Sequence, residues 1–455
     1  MGKYVIANAN IVNENQIFIG SVVIEDDYIS EIYSEKKDVA DLQQLYPEFK
    51  IIDAEGNYLF PGVIDDQVHF REPGLTYKGD IYTESRAAVA GGVTSYMEMP
   101  NTNPQTLTQE LLEEKYQLAA QKSLANYSFY MGASNTNLEE ILKTNPLNVC
   151  GLKVFMGAST GNMLVDNKET LEQIFSKSKL LIAVHCEDEP TIKENLKVFQ
   201  EKYGDDIPIE SHPLIRSREA CYKSSSYAIE LAKKHNTRLH VLHLSTKEET
   251  ELFDNSIPLS EKKITAEVCV HHLWFSAKDY QTKGNFIKWN PAIKNAEDRD
   301  ALLNALISDK IDVVATDHAP HTFEEKQNKY AKAPSGGPLV QHSLIAMLHL
   351  YVNNKISLEK IIEKMCHNPA IMFNINKRGF IRKSYFADLV MVKSNIKQLV
   401  NRDHIFYKCA WSPFENHVFT NKVVQTFVNG NLVYNDGTFY DEHYLYGRAK
   451  CHTRS

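Results

Sequence analysis

Five short apolar runs in this 455-residue chain each lead into a polar side chain able to hold a metal ion. They reach Asp65-Asp66-Gln67-Val68-His69, Lys153, His185, His243 and Asp317. Imidazole and carboxylate are ordinary ligands for zinc and similar ions. A metal that activates water is a general means of hydrolysing an unreactive bond near neutral pH. Taken singly, each residue has a plainer explanation. A histidine after a strand can be a satisfied core residue, and Asp317 can be a turn residue or a helix cap. Taken together at successive strand ends, they point to metal-assisted hydrolysis. Asp317 then serves as a ligand and as the base that takes a proton from water. A two-metal site would want a His-x-His pair at the first run, where the first member is instead Gln67.

Lys153 sits in the apolar stretch Gly151-Leu152-Lys153-Val154-Phe155. A lysine there is costly if charged and unpaired. It either reaches a partner or water with its head group, or stays neutral enough to react with carbon dioxide. The carbamate so formed is an anionic oxygen ligand able to bridge two metals. His240 lies three residues before His243, faces the other way on a strand, and reads as structural. His271 and His272 open a loop after the seventh apolar run and are lesser candidates. Cys186, next to His185, points to the opposite face by strand alternation and reads as a buried small hydrophobe.

The elements that must position these residues form a repeating pattern. Eight apolar runs, at 59–69, 94–100, 126–132, 149–157, 180–187, 238–245, 264–273 and 312–321, alternate with amphipathic stretches. One such stretch, 80–90, ends at Gly91-Gly92 as a helix does. Eight strand–helix units imply a parallel sheet with right-handed crossovers, and eight strands close a barrel. The fold class expected is therefore α/β, a (β/α)8 TIM-like barrel over 56–385. The polar residues fall at the C-terminal ends of runs 1, 4, 5, 6 and 8, the face where such barrels carry chemistry. The long segment 188–225 would be an active-face loop. Residues 1–55 and 386–455 read as strands and turns, and are expected to form a small β-sandwich domain from both chain ends.

Composition excludes several other classes. The net charge is −8, without a basic stripe, so nucleic-acid binding is not expected. No apolar run reaches the length of a membrane span, and the opening residues lack the pattern of a secretory leader. The seven cysteines are scattered, with no Cys-x-x-Cys pair. They suit reduced thiols, and a cytoplasmic location is expected.

At this level of detail the chain resembles dihydroorotase in its longer bacterial form, within the amidohydrolase superfamily. The resemblance runs from Phe60-Pro61-Gly62 to Trp411-Ser412-Pro413-Phe414-Glu415. It rests most on His69-Phe70-Arg71-Glu72-Pro73-Gly74, Met99-Pro100-Asn101-Thr102, Thr316-Asp317-His318-Ala319-Pro320-His321 and Arg378-Gly379, which occur in the family's order. It implies reversible cyclisation of N-carbamoyl-L-aspartate to dihydroorotate in pyrimidine synthesis, with one or two zinc ions per chain. It implies that Lys153 is the carboxylated bridging ligand, that His185 and His243 hold the second metal, that His69 holds the first, and that Asp317 is ligand and base. Arg71 and Asn101, with His321, would bind the substrate carboxylate, as the fixed fork of an arginine does well. Asn290 would contact the pyrimidine, and Ser335-Gly336 would offer backbone groups to the ring. A homodimer is implied by the resemblance alone.

Gln67 departs from the family's His. Three readings follow: two metals with Gln67 as a poor ligand, one metal on the His185/His243 side, or lost activity. Two further functional readings stand beside the leading one. The first is a hydantoinase- or allantoinase-like cyclic amidase, against which Arg71 and Asn101 argue because an uncharged ring gives them nothing to pair with. The second is an inactive barrel retained as a structural partner of another pyrimidine enzyme.

Overall fold

The computed structural model describes residues 2–157 and 163–441, so Cys451 lies outside it. Each of the eight apolar runs contains a strand, and all eight pair in parallel in sequence order. They are β1 (Val63–Val68), β2 (Val93–Glu98), β3 (Asn126–Gly132), β4 (Gly151–Phe155), β5 (Ile182–His185), β6 (Leu239–Val241), β7 (Ile264–Cys269) and β8 (Val313–Ala315). Residues just past β8 return to β1. Val68 bridges His318, His69 N–H donates to the His318 carbonyl at 2.7 Å, and Thr316 Oγ1 donates to Asp65 Oδ2 at 2.6 Å. The result is a nearly closed eight-stranded parallel barrel.

Burial explains why these runs are continuously apolar. Seven of the eight strands are buried at every residue, because helices cover the outside and side chains fill the inside. The helices begin where a short polar side chain can accept an orphan N–H. Asp80 caps Ile81–Ala90 through Thr83 N–H, Thr108 caps Gln109–Lys122, and Asp188 caps Glu189–Tyr203. Segment 188–225 is therefore mostly helical rather than a loop, with His212–Ile215 and Arg218–His235 following Glu189–Tyr203. The pair His271-His272 likewise lies in a short helix, Val270–Trp274, rather than in a loop.

Both chain ends build a second sheet of nine strands, mostly antiparallel. Its centre is Tyr58–Pro61, which pairs in parallel with Lys3–Asn13 and antiparallel with Leu389–Leu399. The first apolar run is thus divided between the two sheets. The crossing point is Gly62, where a Cβ would run into Thr94 Oγ1. Gly62 also donates its N–H to the Asp388 carbonyl at 2.8 Å. Strand alternation returns in this sheet, as in the exposed half of Leu389–Leu399, because one face there meets water. Its inner face packs Ile11, Val22, Leu59, Leu389 and Phe427 into a core of its own.

Candidate active site

A cavity of about 260 Å³ opens at the C-terminal end of the barrel strands. Gln67, His69, Lys153, His185, His243 and Asp317 line it, as do Arg71, Asn101, Asn290, His321, Ser335 and Gly336. The fold therefore brings these twelve residues to one place, while His240 and the lesser candidates His271 and His272 do not line the cavity. Lys153 differs in position from expectation. It is the third residue of β4 rather than a strand end, because β4 stays paired with β5 as far as Phe155.

The histidine tautomers leave ring nitrogens free to face a cation. His69 Nδ1 lies 2.8 Å from Asn101 Oδ1, which can only accept, so Nδ1 carries the proton. Its Nε2 then faces Asp317 Oδ1 at 3.1 Å. His185 Nε2 lies 3.0 Å from Glu187 Oε2, which fixes that proton and leaves Nδ1 against His243 Nε2 at 3.0 Å. A tetrahedral ion with bonds near 2.0–2.1 Å holds its ligand atoms about 3.3 Å apart, so both pairs have the spacing of ligands. Burial lowers the pKa of His69 and of His185, and lowers that of His243 well below its ordinary value, so all three stay neutral as ligands must. Burial also brings Lys153 down to about 8, with its Nζ 4.7 Å from the centre of the Phe155 ring. The donor set fits a metal of the zinc class.

Gln67 behaves otherwise. Its Nε2 donates to Asp317 Oδ1 at 3.2 Å, and its Oε1 turns toward Cys269 Sγ, 3.8 Å away. Arg71 stands at the cavity wall, 7% exposed, with Nε donating to the Pro320 carbonyl at 3.0 Å. Burial lowers it to about 10, so it keeps its charge at neutral pH. Among the described residues no carboxylate forms an ion pair with it. His321 sits among three polar groups, with Lys78 Nζ 2.9 Å from its Nδ1 and both Arg71 Nη2, at 3.1 Å, and the Ser335 carbonyl, at 3.0 Å, against its Nε2. Gly336 N–H is taken by the Lys288 carbonyl and Gly336 O by Lys326 Nζ. The Ser335-Gly336 loop thus offers less free backbone than expected, mainly the Ser335 N–H. The buried Asn290 Oδ1 has no hydrogen-bond partner among the described residues.

The chain matches the amidohydrolase family over residues 58–433. It is 33% identical over 421 residues to the dihydroorotase of Methanosarcina acetivorans, spanning 90% of this chain and 87% of that one. It is also 33% identical over 440 residues to the dihydroorotase of Carboxydothermus hydrogenoformans, spanning 94% and 97%. The chain belongs to the dihydroorotases of the amidohydrolase family. Among solved structures, the L-hydantoinase (dihydropyrimidinase) of Arthrobacter aurescens superposes with a TM-score of 0.89 at 27% identity, over 98% of this chain and all of that one. A dihydropyrimidinase of Brevibacillus agri, 22% identical, shares the fold with a TM-score of 0.86. Membership in the dihydroorotases makes the chain a hydrolase acting on a cyclic amide.

Behind the lining of this dihydroorotase cavity stand further groups that the sequence did not single out. Glu187 orients His185 and is itself held by Arg216. Glu267 accepts the His243 N–H at 2.9 Å. Glu84 takes His318 Nε2 at 2.9 Å and so anchors the segment that carries Asp317. A carboxylate two residues after His185 was the available signal for Glu187. Glu84 and Glu267 gave none, because their partners are far away in sequence. Arg71, His243 and Asp317 all have positive φ, at 70°, 40° and 46°, a conformation that non-glycine residues adopt mainly where surrounding contacts enforce it.

Proposed function

We propose that the chain interconverts N-carbamoyl-L-aspartate and dihydroorotate with zinc bound in the cavity. The observation that carries the substrate choice is Arg71, a buried charge at the cavity wall that lacks an anionic partner among the described residues. A ring bearing a carboxylate supplies that partner. His69, Lys153, His185, His243 and Asp317 would hold the metal, with Lys153 as its carbamate. When bound, zinc polarises the ring amide carbonyl and lowers the pKa of water.

The protein's own groups do the rest. Arg71, with Asn101 and His321, seats the carboxylate and fixes which ring carbonyl faces Asp317. Asn290 Oδ1 takes a ring N–H. In the hydrolytic direction Asp317 accepts the proton of the attacking water and returns it to the departing ring nitrogen. In ring closure Asp317 takes the proton from the attacking ureido nitrogen and gives it to the departing oxygen. Gln67 donates to Asp317 Oδ1 and holds that carboxylate in line, which supports a positioning role rather than that of a ligand. The six described cysteines are all free, which supports a reducing cytoplasmic setting. No helix among the described residues is long and apolar enough to cross a membrane.

Purified zinc-loaded protein is expected to interconvert the two compounds. Asp317→Ala is expected to slow this by about 10²–10⁴-fold, the usual worth of a general base. An Asp317→Ala enzyme of unchanged rate would remove the assigned role.

A further inference from the structure

Inside the barrel a second group of ligand-type side chains converges, and none of its members lines the catalytic cavity. Asp66 on β1, His240 on β6 and Glu267 on β7 are each fully buried. Their ligand atoms all lie within 4.8 Å of one another. His240 Nε2 is 3.1 Å from Asp66 Oδ2 and 3.7 Å from Glu267 Oε2.

Neighbouring hydrogen bonds decide how these atoms are used. Thr265 has one hydroxyl proton, and it goes to the Leu239 carbonyl at 3.2 Å. Thr265 Oγ1 must then accept from His240 Nδ1, 2.9 Å away, so Nδ1 carries the imidazole proton. In a neutral ring the Nε2 lone pair is left pointing at two carboxylates. Glu267 Oε1 is already used by the His243 N–H and the Cys269 thiol. Its Oε2, both Asp66 carboxylate oxygens and His240 Nε2 have no aligned hydrogen-bond partner among the described residues. Buried polar atoms are rarely left in that condition. Two carboxylates and an imidazole thus converge. With no cation bound, burial is outweighed by the Asp66 and Glu267 carboxylates, which raise His240 to about 9, so the ring takes a second proton. A bound divalent cation would replace that proton.

We propose that Asp66, His240 and Glu267 bind a divalent transition-metal cation, distinct from the metal of the catalytic cavity. The two measured spacings bracket the roughly 3.3 Å that separates the ligands of a tetrahedral ion with bonds near 2.0–2.1 Å. An imidazole with two carboxylates suits zinc, manganese or iron(II) rather than magnesium. The His240–Thr265 bond is the support a metal-bound histidine ordinarily has on its other nitrogen. Two carboxylates balance the charge of the ion. Because all three ligands are fully buried, the ion is taken up as the barrel assembles. Its position is structural: it ties β1, β6 and β7 together, and through Glu267 Oε1 it fixes the backbone that presents His243.

The test is zinc content per chain in protein produced with zinc supplied during expression, then dialysed against a chelator that removes surface-bound ions. Asp66→Asn is expected to hold one equivalent fewer than the unaltered chain. The double change His185→Ala with His243→Ala is expected to lose the cavity metal and keep this equivalent. Equal zinc in Asp66→Asn and the unaltered chain would overturn the proposal. A second measurement needs no variant: diffraction at the zinc edge should place an anomalous peak between Asp66, His240 and Glu267. Crystals with no peak there, or an NMR spectrum showing His240 with protons on both ring nitrogens, would mean that an imidazolium supplies the charge.

Discussion

Gln67 occupies the position where a second imidazole would ordinarily complete a two-metal centre, and its contacts define a different task. Its amide donates to Asp317 and its carbonyl faces Cys269, so it serves the base rather than a metal. Gln67→Ala should therefore lower kcat by roughly 10-fold, the worth of one hydrogen bond, while metal per chain stays constant. A parallel loss of metal would show that Gln67 is a ligand. At this scale the sequence was informative wherever chemistry is local. His69, Lys153, His185, His243 and Asp317 stand out because a polar residue in or after a buried strand is hard to explain otherwise. Gln67 itself was visible as a departure, but its donor role was not, since that depends on Asp317, 250 residues away. Asp66 and Glu267 escaped notice for the same reason: each becomes significant only when β1 and β7 are brought against His240.

Single contacts between elements carry much of the arrangement. Arg378 pairs with Asp388 where the barrel meets the second sheet, and both are buried. Asp388 also accepts from Asn126 Nδ2 at 3.2 Å and from Asn429 N–H at 2.8 Å, so it ties β3 to the C-terminal strands. Arg378→Met leaves that carboxylate buried without its cation. It should destabilise the fold by about 3–5 kcal/mol, read as a lowered thermal midpoint. An unchanged midpoint would mean that the pair is dispensable. At the start of helix Ser343–Val352, Tyr407 accepts the Gln341 N–H and donates to His342 Nδ1 at 2.9 Å. Burial pushes His342 down to about 3, against an ordinary value near 6.5. Between those values the unfolded chain binds the extra proton. Stability from this group is therefore complete above about pH 6.5 and declines as pH falls toward 3. His342→Gln should make the dependence of unfolding free energy on pH shallower by one proton in that window, measured by denaturant unfolding at a series of pH values. An unaltered slope would show that His342 is not held neutral. Helices and strands were readable from period and caps. The division of the first apolar run at Gly62 was not, because nothing local distinguishes a strand that changes sheets from one that continues.

For the molecule as a whole, eight apolar runs sufficed to anticipate the barrel, because a strand covered on both faces has to be apolar throughout. The second sheet was legible as strands at both chain ends. Its centre was not, since Tyr58–Pro61 acquires its partners only when the two ends meet. The barrel is shared with hydantoinases, so the fold leaves the ring open and the cavity wall decides it. Arg71 is the element of that wall which an uncharged ring cannot use. The most direct test compares turnover of dihydroorotate with that of dihydrouracil, the same ring without its carboxylate, by the zinc-loaded protein. Dihydroorotate should be favoured in kcat/KM by at least about 10²-fold, as expected when a buried charge is left unpaired by the lesser substrate. Arg71→Met should abolish that preference. Equal or faster turnover of dihydrouracil by the unaltered protein would contradict the account.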